Sequence, residues 1–384
     1  MSVLLMLAIP ALLHAQGRSG AAEARQRFAR AVALSDSLVR TAPRTALRWA
    51  REARQLAGGW GQGEEVGQAH ERLARAYLEL SELDTAMDHA DTALTIAAAA
   101  IGTDARERAE QVKGEVYLQM GDLVSAVEHL ETALDGATRR KDRKAMAAIR
   151  MRLAYALYVG RQSKEVYAHL DTCDRIFRAL NDRAGLAASY GRRAMAMAED
   201  EAIDSLPLAK LYMDTARALA RQAGDSLELT RIHANTTLIV MNMEDLDRAW
   251  AHSDTALALA RALQDSFLLV HIHENMGQLH FREHQPELAL PECRVMLEYG
   301  IRHGILRFQR DGWHCIMNSM REAGDWKGAY DAYGKYWELN ERMVNAYARE
   351  RLLRRSLVQE AARREVALRE AHQARLANDR LWAL

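Results

Sequence analysis

Gly114-Glu115-Val116-Tyr117-Leu118-Gln119-Met120-Gly121-Asp122-Leu123-Val124-Ser125-Ala126-Val127-Glu128-His129-Leu130-Glu131-Thr132-Ala133 decide the fold. Two apolar stripes at helical spacing flank Gly121-Asp122. That pair combines a helix stop with a carboxylate able to cap the next helix. The second stripe carries a small residue at Ala126 and another seven positions on, at Ala133. One period upstream the pattern recurs as Leu73-Ala74, Tyr77, Ala86, Ala90 and Ala93.

Outward from this stretch the register holds along most of the chain. The first small residue falls at Ala46, Ala86, Ala126, Val166, Ala209, Ala249, Ala289 and Ala329, at spacings of 40 except for one of 43. Its partner is Ala53, Ala93, Ala133, Cys173, Ala216, Ala256, Met296 or Tyr336. An echo lies between them, as in Asp91-Thr92-Ala93, Glu131-Thr132-Ala133 and Asp254-Thr255-Ala256. Eight units in register identify a tandem repeat. Each unit reads as two helices joined by a turn such as Gly121-Asp122, Gly324-Asp325 or Glu82-Leu83-Asp84. Pro43, Pro207 and Pro286 sit in the first turn of a second helix, where a missing N–H costs little. Pro291 lies further in, so its helix is expected to start late or kink. The spacing of 43 coincides with Glu199-Asp200-Glu201-Ala202-Ile203-Asp204, read as a local insertion. Alanine suits the marker because helices packed at about 8–10 Å admit only a small side chain at closest approach. A lone hairpin cannot bury its apolar face, so neighbours must stack.

These residues resemble the tetratricopeptide repeat family, best seen in Leu73-Ala74, Tyr77, Ala86, Ala90, Ala93 and in Gly114, Tyr117, Gly121, Ala126, Leu130, Ala133. The period of 40 exceeds the family's usual 34, the tryptophan of the first helix is missing, and Val166, Met296 and Tyr336 depart from the small-residue pattern. The resemblance implies an all-α, right-handed superhelical solenoid of about eight units over residues 24–339. It also implies that the first helices line the concave face. Candidate binding residues there are Arg75, Arg152, Tyr155, Tyr158, Arg231, His271, Glu274, Gln278, His314, Asn318 and Arg321. Arg and Tyr offer charge and flat contact to an extended peptide. Read individually, each is equally a solvated surface side chain.

Composition agrees with a helical scaffold: 49% of residues are hydrophobic, and prolines number 5. Lys+Arg and Asp+Glu both count 52, which leaves no global basic field to attract nucleic acid. Cys173, Cys293 and Cys315 form neither a CxxC pair nor a metal-ligand spacing. No disulfide framework is implied, and they are expected to be small buried residues. No phosphate loop or nucleophile elbow occurs. His280-Phe281-Arg282-Glu283-His284 matches an inverted zinc-protease string. The register, however, puts His284 in a turn and His280 in the slot of Tyr77 and Tyr117. His89, His129, His169 and His252 share one repeat slot three after the marker and read as structural. The chain is therefore expected to be no enzyme, to need no cofactor or metal, and to take a protein or peptide ligand.

The ends differ from the middle. Val3 to Leu13 (VLLMLAIPALL) is uncharged and has the length of a signal-peptide core, with cleavage expected after Ala15. No Lys or Arg precedes it, and a short buried helix is the alternative. Residues 340–380 read as a long charged helix, a candidate coiled coil for dimerisation. Leu352, Leu353, Leu357, Val366, Leu368 and Leu376 are too irregular for a strict heptad seam. Leu381-Trp382-Ala383-Leu384 reads either as the start of a membrane span and tether or as a frayed terminus. This order resembles the exported input half of bacterial receptors, in which tetratricopeptide sensors feed a histidine kinase or a helix-turn-helix regulator. The alternatives are a stand-alone exported scaffold for envelope assembly, or a metalloenzyme using His280 and His284. Expected locations are the periplasm or a membrane anchor facing it.

Overall fold

The computed structural model describes residues 22–40, 42–59, 63–98, 104–160, 163–199 and 205–342. Within them lie 16 helices and no strand. In chain order they are α1 (22–38), α2 (Pro43–Gly58), α3 (Glu64–Glu79), α4 (Leu83–Ala98), α5 (Asp104–Met120), α6 (Leu123–Arg139), α7 (Arg143–Val159) and α8 (Ser163–Ala179). They continue as α9 (Arg183–Glu199), α10 (Leu206–Ala223), α11 (Ser226–Asn242), α12 (Leu246–Leu263), α13 (Ser266–Arg282), α14 (Pro286–Arg302), α15 (Leu306–Glu322) and α16 (326–342). The molecule is the all-α solenoid the repeat register implied. The 1–15 segment, the inserted 200–204 and the 343–384 tail lie outside the described residues.

One device recurs at most of the boundaries. A residue with positive φ ends a helix and the next residue caps the following one. The first role falls to Gly121, Gly224, Gly304 and Gly324, and also to Ser81, Lys141, Asn181, Glu244, Gln264 and His284. The second falls mostly to aspartate. Asp122 accepts from the Ser125 N–H at 3.1 Å, Asp142 from Ala145 at 3.0 Å, Asp225 from Glu228 at 2.9 Å and Asp265 from Leu268 at 2.9 Å. Each bond satisfies a donor that a helix N-terminus would otherwise leave orphaned.

Every marker residue is buried, and those from Ala46 to Ala289 have no exposed surface at all. They sit where the second helix of a unit crosses the first. Glycines give the same close approach elsewhere. A Cβ on Gly312 of α15 would lie 2.9 Å from the Leu297 Cα of α14, and one on Gly300 would lie 2.7 Å from the Gln309 nitrogen. Between successive units, first helices touch first helices, as α3 with α5, α9 with α11 and α11 with α13. They therefore form the inner layer, with second helices outside.

Two expectations need correcting. Pro291 does not delay its helix: α14 begins at Pro286 and runs through Pro291. Both Pro291 and Glu287 are exposed, so water can serve the carbonyl that the proline leaves without its N–H. Cys293 and Cys315 are not separate thiols but a disulfide joining α14 to α15, with Cα atoms 5.4 Å apart. Their separation of 22 places them on facing helices, and the Gly300 and Gly312 contacts bring those helices close enough. Cys173 remains a free thiol; it is buried, and burial pushes its thiol up to about 12. As the register indicated, His280 and His284 do not share a helix face. The α13 helix ends at Arg282, and His284 lies past it with φ 57°. His280 packs its ring 4.8 Å from that of Trp250.

The solenoid coils far enough for distant units to meet. The Ser81 and Tyr299 hydroxyls hydrogen bond at 2.7 Å, across 218 residues of sequence. The His303 ring nitrogen Nδ1 donates to the Ser81 carbonyl at 3.0 Å. Val39, Leu83, Tyr299, Ile305 and Phe308 share one apolar cluster, so the α3–α4 turn docks on the α14–α15 corner. Arg40 and Asp225 add an ion pair at 3.9 Å. On α16, Trp326, Tyr330, Tyr333 and Trp337 form an exposed face on which no described helix packs.

Candidate functional site: the lumen of the first helices

Coiling brings the inner faces of α3, α5, α7, α9, α11, α13 and α15 around a common interior. On α3, Arg75 is held by Glu71 one turn before it, at 3.5 Å. On α7, Arg152 pairs with Glu115 of α5 at 3.3 Å, and Tyr155 and Tyr158 stack with ring centroids 6.4 Å apart. On α11, Arg231 pairs with Glu228 at 3.6 Å. On α13, His271 meets Glu274 at 3.3 Å, and Arg307 of α15 reaches the same carboxylate at 3.9 Å.

Electrostatics show that these groups face one interior. Burial raises the Glu79 carboxyl, opposed by Arg152 of α7 and Arg231 of α11. Burial also pushes Glu115 upward, but Arg152 and then Arg75 outweigh it and hold its carboxyl below the usual range. Glu274 follows the same pattern: Arg307 and the His271 hydrogen bond overcome burial and bring it down to about 2. Burial depresses His271 despite Glu274. Arg307 is raised, burial being outweighed by Glu274 with help from Tyr155 and Tyr158 of α7. An α15 cation influenced by α7 tyrosines places the fourth and eighth units opposite each other.

Of the residues singled out from sequence, Arg75, Arg152, Tyr155, Tyr158, Arg231, His271 and Glu274 are brought together here. Gln278, His314, Asn318 and Arg321 are not part of this cluster. Gln278 and Arg321 are exposed, the His314 ring packs 5.1 Å from Tyr336, and the Asn318 amide meets the His314 ring at 3.3 Å. Sequence reading missed Glu79, Glu115, Arg192, Arg307, Arg310 and Asp311. The register held the signal for two of them: Glu115 lies one period after Arg75, and Arg192 one period after Arg152.

The histidine slot also has a geometry the sequence did not reveal. Each member faces a residue 19 positions earlier on the first helix. His89 meets His70 at 3.1 Å, His129 meets Glu110 at 2.7 Å, His169 meets Arg150 at 3.4 Å, and His252 meets His233 at 3.0 Å. Glu292 and His273 repeat the contact with the roles exchanged. These pairs tie the two helices of a hairpin together, at separate points along the solenoid.

Stacked helical hairpins with small residues at the crossings and an inner layer of first helices define a tetratricopeptide-like repeat solenoid. Solved structures of the same architecture agree. A Rap protein complexed with competence and sporulation factor superposes with a TM-score of 0.55 at 12% identity, covering 83% of this chain and 99% of that one. NprR in complex with its cognate peptide NprX gives 0.57 at 10% identity, over 78% and 85%. Aspartyl phosphate phosphatase F from Bacillus subtilis gives 0.55 at 13% identity, over 74% and 73%. No family model matches the sequence, and no curated protein matches it either. At such identities the likeness is one of fold.

Proposed function

We propose that this chain is a binding scaffold whose lumen holds an extended peptide or a peptide segment of another protein. The observation that carries this reading is the lumen itself. Tyr155, Tyr158, Arg307, His271 and Glu274 come from opposite sides of the coil and line one interior with flat rings and charges. That combination suits an extended chain, whose backbone needs polar partners and whose side chains need flat surfaces. The fold shared with NprR, solved with its cognate peptide, supports it.

The finer reading is that the scaffold is the extracytoplasmic input module of a bacterial signalling receptor, with 1–15 as its signal peptide and the basic helix 340–380 carrying the binding event onward. The Cys293–Cys315 bond supports export, because disulfides persist in oxidising compartments. A stand-alone exported scaffold is the second reading, and it shares that support. Among the described residues, no helix is long and apolar enough to cross a membrane.

Two measurements test these statements. A photo-crosslinking residue at Tyr158 is expected to capture a peptide or protein in cells, while one at Leu211 on exposed α10 is not. Adducts at Leu211 alone would remove the lumen from consideration. N-terminal sequencing of the mature protein is expected to begin after Ala15, and a retained Met1 would defeat the export reading.

A further inference from the structure

Among the described residues, one cation in the lumen forms no ion pair. Arg192 of α9 lies with its guanidinium carbon 4.3 Å above the Tyr155 ring. Its Nε is buried and has no hydrogen-bond partner. Among the described residues, no carboxylate pairs with it. Glu228, the carboxylate that acts on it, is paired with Arg231 at 3.6 Å. Burial, with Arg152 and Arg231, lowers its affinity for its proton, and Tyr155 and Glu228 only partly offset this. A half-buried guanidinium with an orphaned Nε and no ion pair is a costly arrangement for a folded chain, unless a ligand completes it.

The chemistry of that ligand follows from the geometry. Stacking on Tyr155 fixes the plane of the guanidinium and leaves its N–H edge for a coplanar acceptor. A carboxylate fits that edge with two oxygens. The unpaired charge is single, so a monoanion neutralises it, whereas a phosphate dianion would leave excess negative charge beside Glu228. We propose that Arg192, seated on Tyr155, anchors the carboxylate of an Asp or Glu side chain in an extended peptide running through the lumen. The assignment rests on the peptide-binding reading and narrows it to acidic peptides.

The test uses the full mature chain and a pool of random octapeptides, with retained peptides identified by mass spectrometry. Peptides held by the parent are expected to be enriched in Asp or Glu at one position. For one such peptide made singly, changing that Glu to Gln is expected to weaken binding about tenfold or more, the scale of a charge-assisted hydrogen bond. Arg192→Met, which keeps an apolar stem on Tyr155, is expected to bind the Glu and Gln peptides alike. Equal binding of both peptides by the parent overturns the assignment. The peptide-side change needs no altered protein, so a poorly folded Arg192→Met cannot protect the idea. Retained peptides without acidic bias overturn the anchor alone. Failure to retain any peptide overturns the peptide-binding reading and the anchor with it.

Discussion

Asp142 shows what one side chain does in this molecule. It follows Lys141, whose φ of 59° turns the chain out of α6, and its carboxylate accepts from the Ala145 N–H to start α7. Asp142→Ala should cost about 1 kcal/mol, the usual worth of such a cap. Chemical denaturation would show it as a lower midpoint with an unchanged slope. The histidine pairs act at the same scale but through protons. Burial, then the facing His89 and the nearby Arg54, lowers His70 to about 4; burial, His252, Arg217 and Arg221 lower His233 to about 4. Below the unfolded value of 6.5 the unfolded chain takes up protons that the folded chain refuses until about pH 4. Stability is therefore fullest above pH 6.5, falls as pH drops from 6.5 to 4, and levels off below. Glu274, held at about 2 against 4.5 unfolded, acts in a lower window, losing its contribution between 4.5 and 2. Thermal melts of a His70→Gln/His233→Gln variant should show a shallower decline between pH 6.5 and 4 than the parent. An unchanged slope would mean that these imidazoles titrate normally.

At the scale of the element, the helix pair depends on what is absent from its crossing. Ala126 is fully buried, and a Cβ on Gly114 of α5 would lie 2.7 Å from the Leu130 side chain of α6. Ala126→Phe should destabilise by about 1–3 kcal/mol through overpacking, read from the melting temperature. Gly312→Ala should do the same between α14 and α15. There the new methyl would meet the Leu297 backbone rather than a flexible tip, so the helices must part. The marker register was legible in sequence because repetition removes ambiguity: one alanine means little, whereas eight small or β-branched residues in step mean a crossing. The pairing of Cys293 with Cys315 was not legible from cysteine spacing, since it depends on two helices approaching at Gly300 and Gly312. The same positions one unit earlier are Ser253 and Asn275, both buried. The register could thus have marked Cys293 and Cys315 as inward-facing residues on adjoining helices.

For the whole molecule, curvature governs the interior. The contact of Ser81 with Tyr299 and His303 joins the second unit to the seventh. Tyr299→Phe removes the hydroxyl partner of a buried serine and should cost about 1–2 kcal/mol. If the contact holds the coil closed, small-angle scattering should report a larger radius of gyration for the variant. An identical profile would mean that stacking between neighbouring units alone fixes the curvature.

Sequence by itself determined the units of this protein: the helix pairs, their caps and the small residues at their crossings. Those features are local or periodic, set by neighbours within about one repeat, and so they leave a mark at fixed spacing. Only the tertiary structure decided which inner residues meet. A small rotation per unit, summed over the coil, carries Arg307 to Tyr155 and Tyr158 and Tyr299 to Ser81, while leaving Gln278 and Arg321 exposed. Repeat spacing records the unit but not its accumulated rotation, so the lumen, its paired charges and the unpaired Arg192 appear only when the coil is complete.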